Sequence, residues 1–257
     1  MKKRLMAAVL STAMAATMLL TGSISVQAAD AAANDPAVEL IFTSVSVSGD
    51  SHTEAMYEFA DKVEELSGGS VTCKCYDNGS LFSSENEFDA LLNGDADLAY
   101  ISFPTIATQI PSYSMFASGY LFSSYEHMTS VLNGDIGLNK IRPQIEETLN
   151  IKPLSSFYLG SRVINTREKE INSYDDMNGL LLRMPNSEAW LFLGEALGAN
   201  PTPLSFSELY TALQTGAVDA QDNPLPSIES AKFYEVTKYI AITNHVVDSI
   251  MPCINGD

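Results

Sequence analysis

The chain has 257 residues and is strongly acidic, with 32 Asp and Glu against 14 Lys and Arg and a formal net charge of −18. A surface of that charge repels nucleic acid and anionic lipid, so the composition excludes both as partners. The three cysteines are too few for a disulfide framework.

The first 29 residues predict a secretory signal peptide. Lys2, Lys3 and Arg4 precede a short apolar stretch, and small residues lead to a cleavage site near Ala28 or Ala29. A permanent membrane anchor is less favoured, because the stretch is short for spanning and no stop-transfer pattern follows it. We therefore expect a periplasmic or otherwise extracytoplasmic protein, without membrane insertion after cleavage. Its 11 basic and 32 acidic residues give a net charge of −21.

The next segment alternates strands with helices. The predicted elements are a strand at 38–43, a helix from the capping box at 51–54 to Gly68, a strand at 71–76, a helix from a second capping box at 84–87 to Gly94, and a strand at 97–101. Such a βαβαβ order is typical of a mostly parallel sheet with helices on its faces. Cys73 and Cys75 point to one face of the second strand, where small core residues fit better than a bridge or metal pair.

A second set of elements follows a helical region at 125–150. The predicted elements are a strand region at 152–158, strands at 162–166 and 180–183, and helices at 186–197 and 205–215, the last opened by a third capping box. Two such sets predict an α/β protein of two lobes, 30–159 and 160–248. The lobes join near residues 157–160 through strands, which favours a hinge.

Motifs for catalysis and for cofactor binding are missing from the sequence. There is no nucleophile elbow, phosphate-binding glycine loop, dinucleotide fingerprint or zinc-protease helix. His52, His127 and His245 are scattered, and no spacing pairs them with a cysteine or carboxylate as metal ligands. Nothing points to a carboxylate pair for glycoside hydrolysis. We predict neither an enzyme nor a bound metal or cofactor.

Arg183 is the residue that most indicates a ligand. It ends an apolar run in GLLLRMPNSEAW, directly before a predicted helix, in a chain with five arginines. In open α/β sheets ligands bind beyond the carboxyl ends of strands, and a helix N-terminus there favours an anion. A guanidinium can hold a carboxylate by two parallel hydrogen bonds. An ion pair with one of the many surface acids is the alternative at this stage.

From 171 to 248 the chain resembles the DctP-type substrate-binding proteins of TRAP (tripartite ATP-independent periplasmic) transporters. The matching stretches are GLLLRMPN, LGANPTPLSFSELYTALQTGAVDAQDNP and SAKFYEVTKYIAITNH, in that order. A weaker similarity extends back to Phe42. The resemblance implies a periplasmic-binding-protein-like (type II-like) fold, in which two lobes close on an organic acid.

The resemblance also assigns site residues. It implies that Arg183 binds the substrate carboxylate, that Arg162 is a second cleft arginine, that Phe206 packs on the ligand, and that Asn223 supplies a polar contact. From the residues alone, Arg162 could instead solvate a strand. Phe206 could fill the core, and Asn223 before a proline could belong to a turn.

Three departures from the family pattern stand out. AQDNP replaces the common GQENP, so the carboxylate of Asp222 is one methylene shorter. Ser102 and Thr105 occupy the region from which sialic-acid-binding members supply charged contacts, so sialic acid is not supported. Residues 249–257 would begin a return to the first lobe, and by the same resemblance the remaining C-terminal part is missing.

These observations predict an extracytoplasmic solute-binding protein of a TRAP transporter. It would capture an organic acid and deliver it to the membrane permease subunits. An ABC-type solute receptor would share the two lobes and the export signal, and an exported hydrolase is the less favoured alternative.

Overall fold

The computed structural model describes residues 37–257. The predicted signal peptide lies outside this part of the chain. The strands are β1 (Val38–Thr43), β2 (Val71–Tyr76), β3 (Leu98–Ile101), β4 (Ile151–Pro153), β5 (Phe157–Thr166), β6 (Leu181–Met184), β7 (Asn200–Pro203), β8 (Ala220–Pro224) and β9 (Tyr239–Asn255). The helices are α1 (Ser51–Ser67), α2 (Glu87–Asn93), α3 (Phe103–Ile106), α4 (Tyr125–Leu132), α5 (Arg142–Leu149), α6 (Glu188–Ala196), α7 (Phe206–Thr215) and α8 (Leu225–Ser230).

The strands form one mixed sheet in the order β2-β1-β3-β9-β5-β8-β6-β7, with β4 also paired to β9. Strands β1, β2 and β3 are parallel to one another, as are β6, β7 and β8. Two antiparallel strands, β5 and β9, connect these groups. We call β1 to β4 with residues 251–255 the first half-sheet, and β5 to β8 with residues 239–250 the second.

None of the three predicted capping boxes forms, although Ser205 is the N-cap residue of α7 as predicted. Helix α1 is capped by Asp50, whose carboxylate accepts the backbone N–H of His52, so the cap lies one residue before Ser51. Helix α2 is preceded by Asn86 without a side-chain cap, and the predicted box at 84–87 does not form. Ser205 precedes α7 as predicted, but its hydroxyl donates to the Glu208 carboxylate instead of accepting a backbone N–H.

The segment after β3 was not predicted to be helical and contains α3 and a 3-10 turn at Pro111–Ala117. Its aromatic side chains fill the core beneath the first half-sheet, with Phe103 stacked on Phe116 at 4.2 Å between ring centroids. The same segment reaches the second half-sheet, where the Tyr120 N–H donates to the His245 carbonyl over 2.7 Å. It therefore links the two parts of the molecule.

The three cysteines are free thiols. Cys73 and Cys75 are half-buried on strand β2, and Cys253 is buried on β9. Burial raises the pKa of the Cys75 thiol to about 11, so it stays protonated at neutral pH. Within residues 37–257 no helix combines the length and apolar character needed to cross a bilayer.

Candidate functional site

A cleft of about 350 Å³ lies between elements of the two half-sheets. Its walls include all four residues that the sequence singled out: Arg183, Arg162, Phe206 and Asn223. One wall comes from β5, β6, β8 and the start of α6, and the other comes from α2, β3 and α3. The site thus combines residues from distant parts of the chain.

Arg183 is buried in the cleft wall, with 2% of its surface exposed. It is the penultimate residue of β6, because the strand extends one residue further than predicted, to Met184. Its Nε donates to the Leu204 carbonyl over 2.8 Å. Within residues 37–257 neither of its terminal nitrogens has a hydrogen-bond partner, and no acid forms an ion pair with its guanidinium. The alternative of a surface ion pair is therefore wrong for the described chain.

Burial and, after it, the neighbouring positive charge of Arg162 lower the pKa of Arg183 to about 10. At neutral pH the side chain still carries its proton. A buried charge that lacks a counter-ion is costly, and a bound anion would remove that cost. The two terminal nitrogens have the fork geometry that suits a carboxylate.

Arg162 lies in the same cleft, but each of its three nitrogens is bonded to a protein acceptor. Its Nε and Nη2 bond to the Asp222 carboxylate at 3.0 and 2.5 Å, and its Nη1 bonds to Asp248 at 2.7 Å. Its guanidinium also lies 4.4 Å above the Trp190 ring. Burial, the largest effect, works against the charged form, but attraction to Asp222 and Asp248 outweighs it and raises the pKa of Arg162.

The partners of Arg162 were missed at the sequence level. Asp222 also bonds through its other oxygen to Nε2 of His245, at 2.7 Å, and both side chains are fully buried. Thr243 occupies the second ring nitrogen of that histidine. Burial is the largest single effect and disfavours the charged carboxylate of Asp222. Arg162 and His245 together outweigh that effect and hold the pKa of Asp222 well below its usual range.

Two histidines contact a carboxylate, although no spacing in the sequence pairs them with one as metal ligands. His245 pairs with Asp222 across 23 positions, and His52 lies 3.0 Å from the Asp50 carboxylate beside the α1 cap. No linear motif signals the first pair, because Asp222 on β8 and His245 on β9 come together only through the folding of the sheet. Among residues 37–257 there is no group of three or more potential ligands that could hold a metal ion.

Phe206 and Asn223 complete the Arg183 side of the cleft. The Phe206 ring lies 6.0 Å from the Arg183 guanidinium and makes an edge contact with Phe233. Asn223, 6% exposed, donates to Gln221 over 2.6 Å and accepts a longer bond from Arg162. Its amide orientation is therefore fixed by neighbours on the sheet.

The opposite wall is polar and acidic. It presents hydroxyl, amide and carboxyl groups of Ser84, Glu85, Glu87, Asp89, Ser102, Thr105, Thr108 and Gln109. Ser102 and Thr105 are linked by a hydroxyl hydrogen bond of 2.9 Å. Glu87 is 4% exposed and its Oε1 has no hydrogen-bond partner in residues 37–257. Burial raises the pKa of its carboxyl to about 8.

Contacts across the cleft bring the two walls together. The Phe206 N–H donates to the Ser84 hydroxyl over 3.4 Å, and the Ser230 hydroxyl donates to the Asp50 carboxylate over 3.1 Å. Both bonds join the helical layers of opposite half-sheets.

The model of the DctP family, described as bacterial extracellular solute-binding protein, family 7, matches residues 42–257. The chain belongs to this family. The match includes every residue of the cleft described above.

Curated relatives are named for different acids, sialic acid in one and C4-dicarboxylates in another. The chain is 35% identical over 196 residues to the sialic acid-binding periplasmic protein SiaP of Vibrio cholerae, covering 76% of this chain and 60% of that protein. The chain thus spans less than two thirds of the length of this curated relative. Family members are extracellular or periplasmic solute-binding proteins.

Solved structures share the architecture. A TRAP periplasmic solute-binding protein of Roseobacter denitrificans with bound 3-deoxy-D-manno-oct-2-ulosonic acid has a TM-score of 0.80 and 40% identity, covering 86% of this chain and 72% of that one. The sugar acid binding protein DctPAm of Advenella mimigardefordensis, in complex with galactonate, has a TM-score of 0.81 and 31% identity, covering 86% and 71%. The predicted two-lobed α/β fold of the periplasmic-binding-protein type is confirmed.

Proposed function

We propose that this protein is the extracytoplasmic receptor of a TRAP transporter, and that it captures an organic acid and delivers it to the membrane permease subunits. Arg183 binds the ligand carboxylate through its two terminal nitrogens. The observation that carries this proposal is a buried, charged guanidinium in a cleft, without a counter-ion among the described residues. The acids bound by solved relatives support the same ligand class.

The other predicted residues take supporting roles. Arg162 is held by two carboxylates, so it contributes a positive field and a fixed wall more than a free donor. Phe206 packs on the apolar part of the ligand beside Arg183, and Asn223 presents its amide from the end of β8. Each charge-assisted bond to the ligand contributes about 1.5 to 3 kcal/mol.

Closure follows from the strand arrangement. We place the lobes at 30–159 and 160–248, with 249–257 returning to the first lobe. Pairing of Phe157 with Ile250 and of Gly160 with Asp248 supports a two-strand hinge at the base of the cleft. Rotation there would separate the helical layers to admit an acid and bring them back together over it, and the closed form would dock on the permease.

A thermal-shift screen of the purified mature protein tests the proposal. Small organic acids are compared with their methyl esters, which keep the carbon skeleton but lack the charge. A binder stabilises the folded state by mass action, so an acid that raises the midpoint should do so while its ester does not. Equal shifts from acid and ester would contradict a carboxylate receptor, and turnover of any ester would favour the hydrolase instead.

A further inference from the structure

We propose that the wall formed by α2, β3 and α3 selects monocarboxylates whose far end carries hydroxyl groups and rejects dicarboxylates, with Glu87 as the specificity-determining residue. The inference rests on the proposed function, since it assumes that Arg183 fixes one carboxylate. It concerns the end of the ligand that Arg183 does not touch.

The charges that line the cleft are distributed unevenly. Among residues 37–257, two cationic side chains line the cleft, Arg162 and Arg183, and both belong to the second half-sheet. Arg162 is already neutralised by two carboxylates, which leaves one cation for a ligand. A ligand with two carboxylates can therefore place only one of them against a positive group.

The second carboxylate of such a ligand would meet a repulsive wall. The exposed carboxylates of Glu85 and Asp89 approach the cleft from α2 and the loop before it, and no basic side chain of residues 37–257 lines that wall. Like charges brought together in a partly desolvated site disfavour binding. The rejection of dicarboxylates follows from this charge pattern.

Glu87 identifies what the wall accepts. It is nine-tenths buried, it lines the cleft, and its Oε1 lacks a partner among the described residues. A buried polar atom without a partner is costly, and a ligand hydroxyl would satisfy it. The carboxyl is mostly protonated at pH 7, because burial raises its pKa to about 8, so it can both donate to and accept from hydroxyls.

Neutral polar groups line the cleft on the same wall as Glu87. Ser84, Ser102, Thr105 and Gln109 line the cleft with hydroxyls and an amide, all suited to a polyhydroxy chain. The structure therefore points to aldonates, the monocarboxylic sugar acids.

A matched pair of ligands tests the selection. Galactonate and galactarate share a six-carbon chain with its inner hydroxyls. At the far end galactonate has a hydroxyl, whereas galactarate has a second carboxylate. By calorimetry at pH 7, we expect galactonate to bind at least tenfold more tightly. Equal or tighter binding of galactarate would overturn the inference, as would tighter binding of an amino sugar acid of the same length.

Variants of Glu87 test the residue itself. Glu87→Ala should weaken galactonate binding about tenfold and leave a short acid such as propionate unaffected, because propionate cannot reach the wall. Glu87→Gln should restore galactonate binding, since the amide also donates and accepts. Glu64→Gln on the exposed face of α1 is the matched control. If Glu87→Ala folds normally and galactonate affinity does not change, Glu87 has no role in specificity.

The pH dependence supplies a further readout. Ligand binding buries Glu87 further and so favours its protonated form, which means that galactonate affinity should fall as pH rises from 7 to 9. Glu87→Gln should not show this fall. The other ionisable groups that line the cleft are Glu85, Asp89, Tyr100, Arg162, Arg183 and Asp248. They are unchanged in the variant, so a pH effect common to both proteins would be theirs and would contradict the role of Glu87.

The outcomes separate this inference from the proposed function. If no organic acid binds, the receptor proposal itself fails. If propionate and both six-carbon acids bind through Arg183 but Glu87 variants and the second carboxylate make no difference, only the inference fails.

Discussion

Arg183 and Arg162 carry the same guanidinium group in one cleft, but their surroundings differ. Arg162 has its nitrogens bonded to Asp222 and Asp248, whereas Arg183, among residues 37–257, uses only Nε, toward a backbone carbonyl. The opposite pKa shifts, upward for Arg162 and downward for Arg183, follow from this difference in counter-charge. The unpaired arginine is the one positioned for an anion.

Arg183→Lys should keep the fold and weaken acid binding by about tenfold to a hundredfold, because an ammonium cannot reproduce two parallel bonds to a carboxylate. Calorimetry on the variant measures this change directly. Arg167→Lys, the same substitution outside the cleft, serves as the control and should bind normally. Unaltered affinity in Arg183→Lys would contradict the proposed carboxylate contact.

Asp222→Asn should destabilise the protein by about 3 to 5 kcal/mol, because Arg162 would lose a buried counter-charge and His245 would lose its carboxylate hydrogen-bond partner. Urea unfolding at pH 7 measures the change. The folded-state pKa of Asp222 is lowered, so the stability it provides is present above its unfolded pKa and lost as pH falls through the folded value.

The stability difference between parent and Asp222→Asn should accordingly shrink in acid. Asp175→Asn, on an exposed turn, is the control and should unfold like the parent. A variant as stable as the parent at pH 7 would show that the buried network contributes nothing to the fold.

At the scale of elements, β5 and β9 determine how the cleft is built. Strand β5 carries Arg162 and pairs with β8, which brings Asp222 and Asn223 to the site. Strand β9 pairs with β5 over its first part and with β3 and β4 over its last, so it runs through both half-sheets. The register shifts at Gly160, where Tyr158 pairs with Ser249 and Gly160 with Asp248.

Gly160→Ala should destabilise the protein by about 2 kcal/mol or more. The glycine has φ of 136°, and an added Cβ would lie 2.4 Å from the Pro224 Cβ at the end of β8. Thermal or urea unfolding measures the loss. Gly179→Ala also has a positive φ, of 78°, but its Cβ would meet nothing within 4 Å. The difference between the two variants isolates the contact with Pro224, and equal losses would show that this contact is unimportant.

At the scale of the whole molecule, the net charge opposes the proposed ligand. An acidic surface of −21 for residues 30–257 repels an organic anion at long range, and the local field of Arg183 and Arg162 must prevail inside the cleft. Added salt screens exposed surface charges more than buried ones. Screening should therefore assist the approach of the anion.

Raising the salt concentration from about 20 to 300 mM should increase the association rate of an organic acid, by about twofold. The single tryptophan, Trp190, lines the cleft and provides a fluorescence signal for stopped-flow measurement. Sodium chloride and sodium sulfate at equal ionic strength should act alike. A rate that falls steeply in both salts would show that attraction governs the approach.

The sequence by itself determined the local elements and the central arginine. Strands β1 and β2 have the predicted bounds, since alternating and apolar patterns with glycine stops are local signals. Arg183 could be identified because a strand end followed by a helix start is also local. The family resemblance named Arg162, Phe206 and Asn223, and all three line the cleft.

Only the tertiary structure decided what each charged group does. Arg162 is paired and Arg183 is not because β8 and β9 carry Asp222, His245 and Asp248 to one arginine and not to the other. Burial of Glu87 against the cleft likewise depends on packing between α2 and the sheet. Burial and counter-charge arise from segments far apart in the chain, so no spacing along the sequence could reveal them.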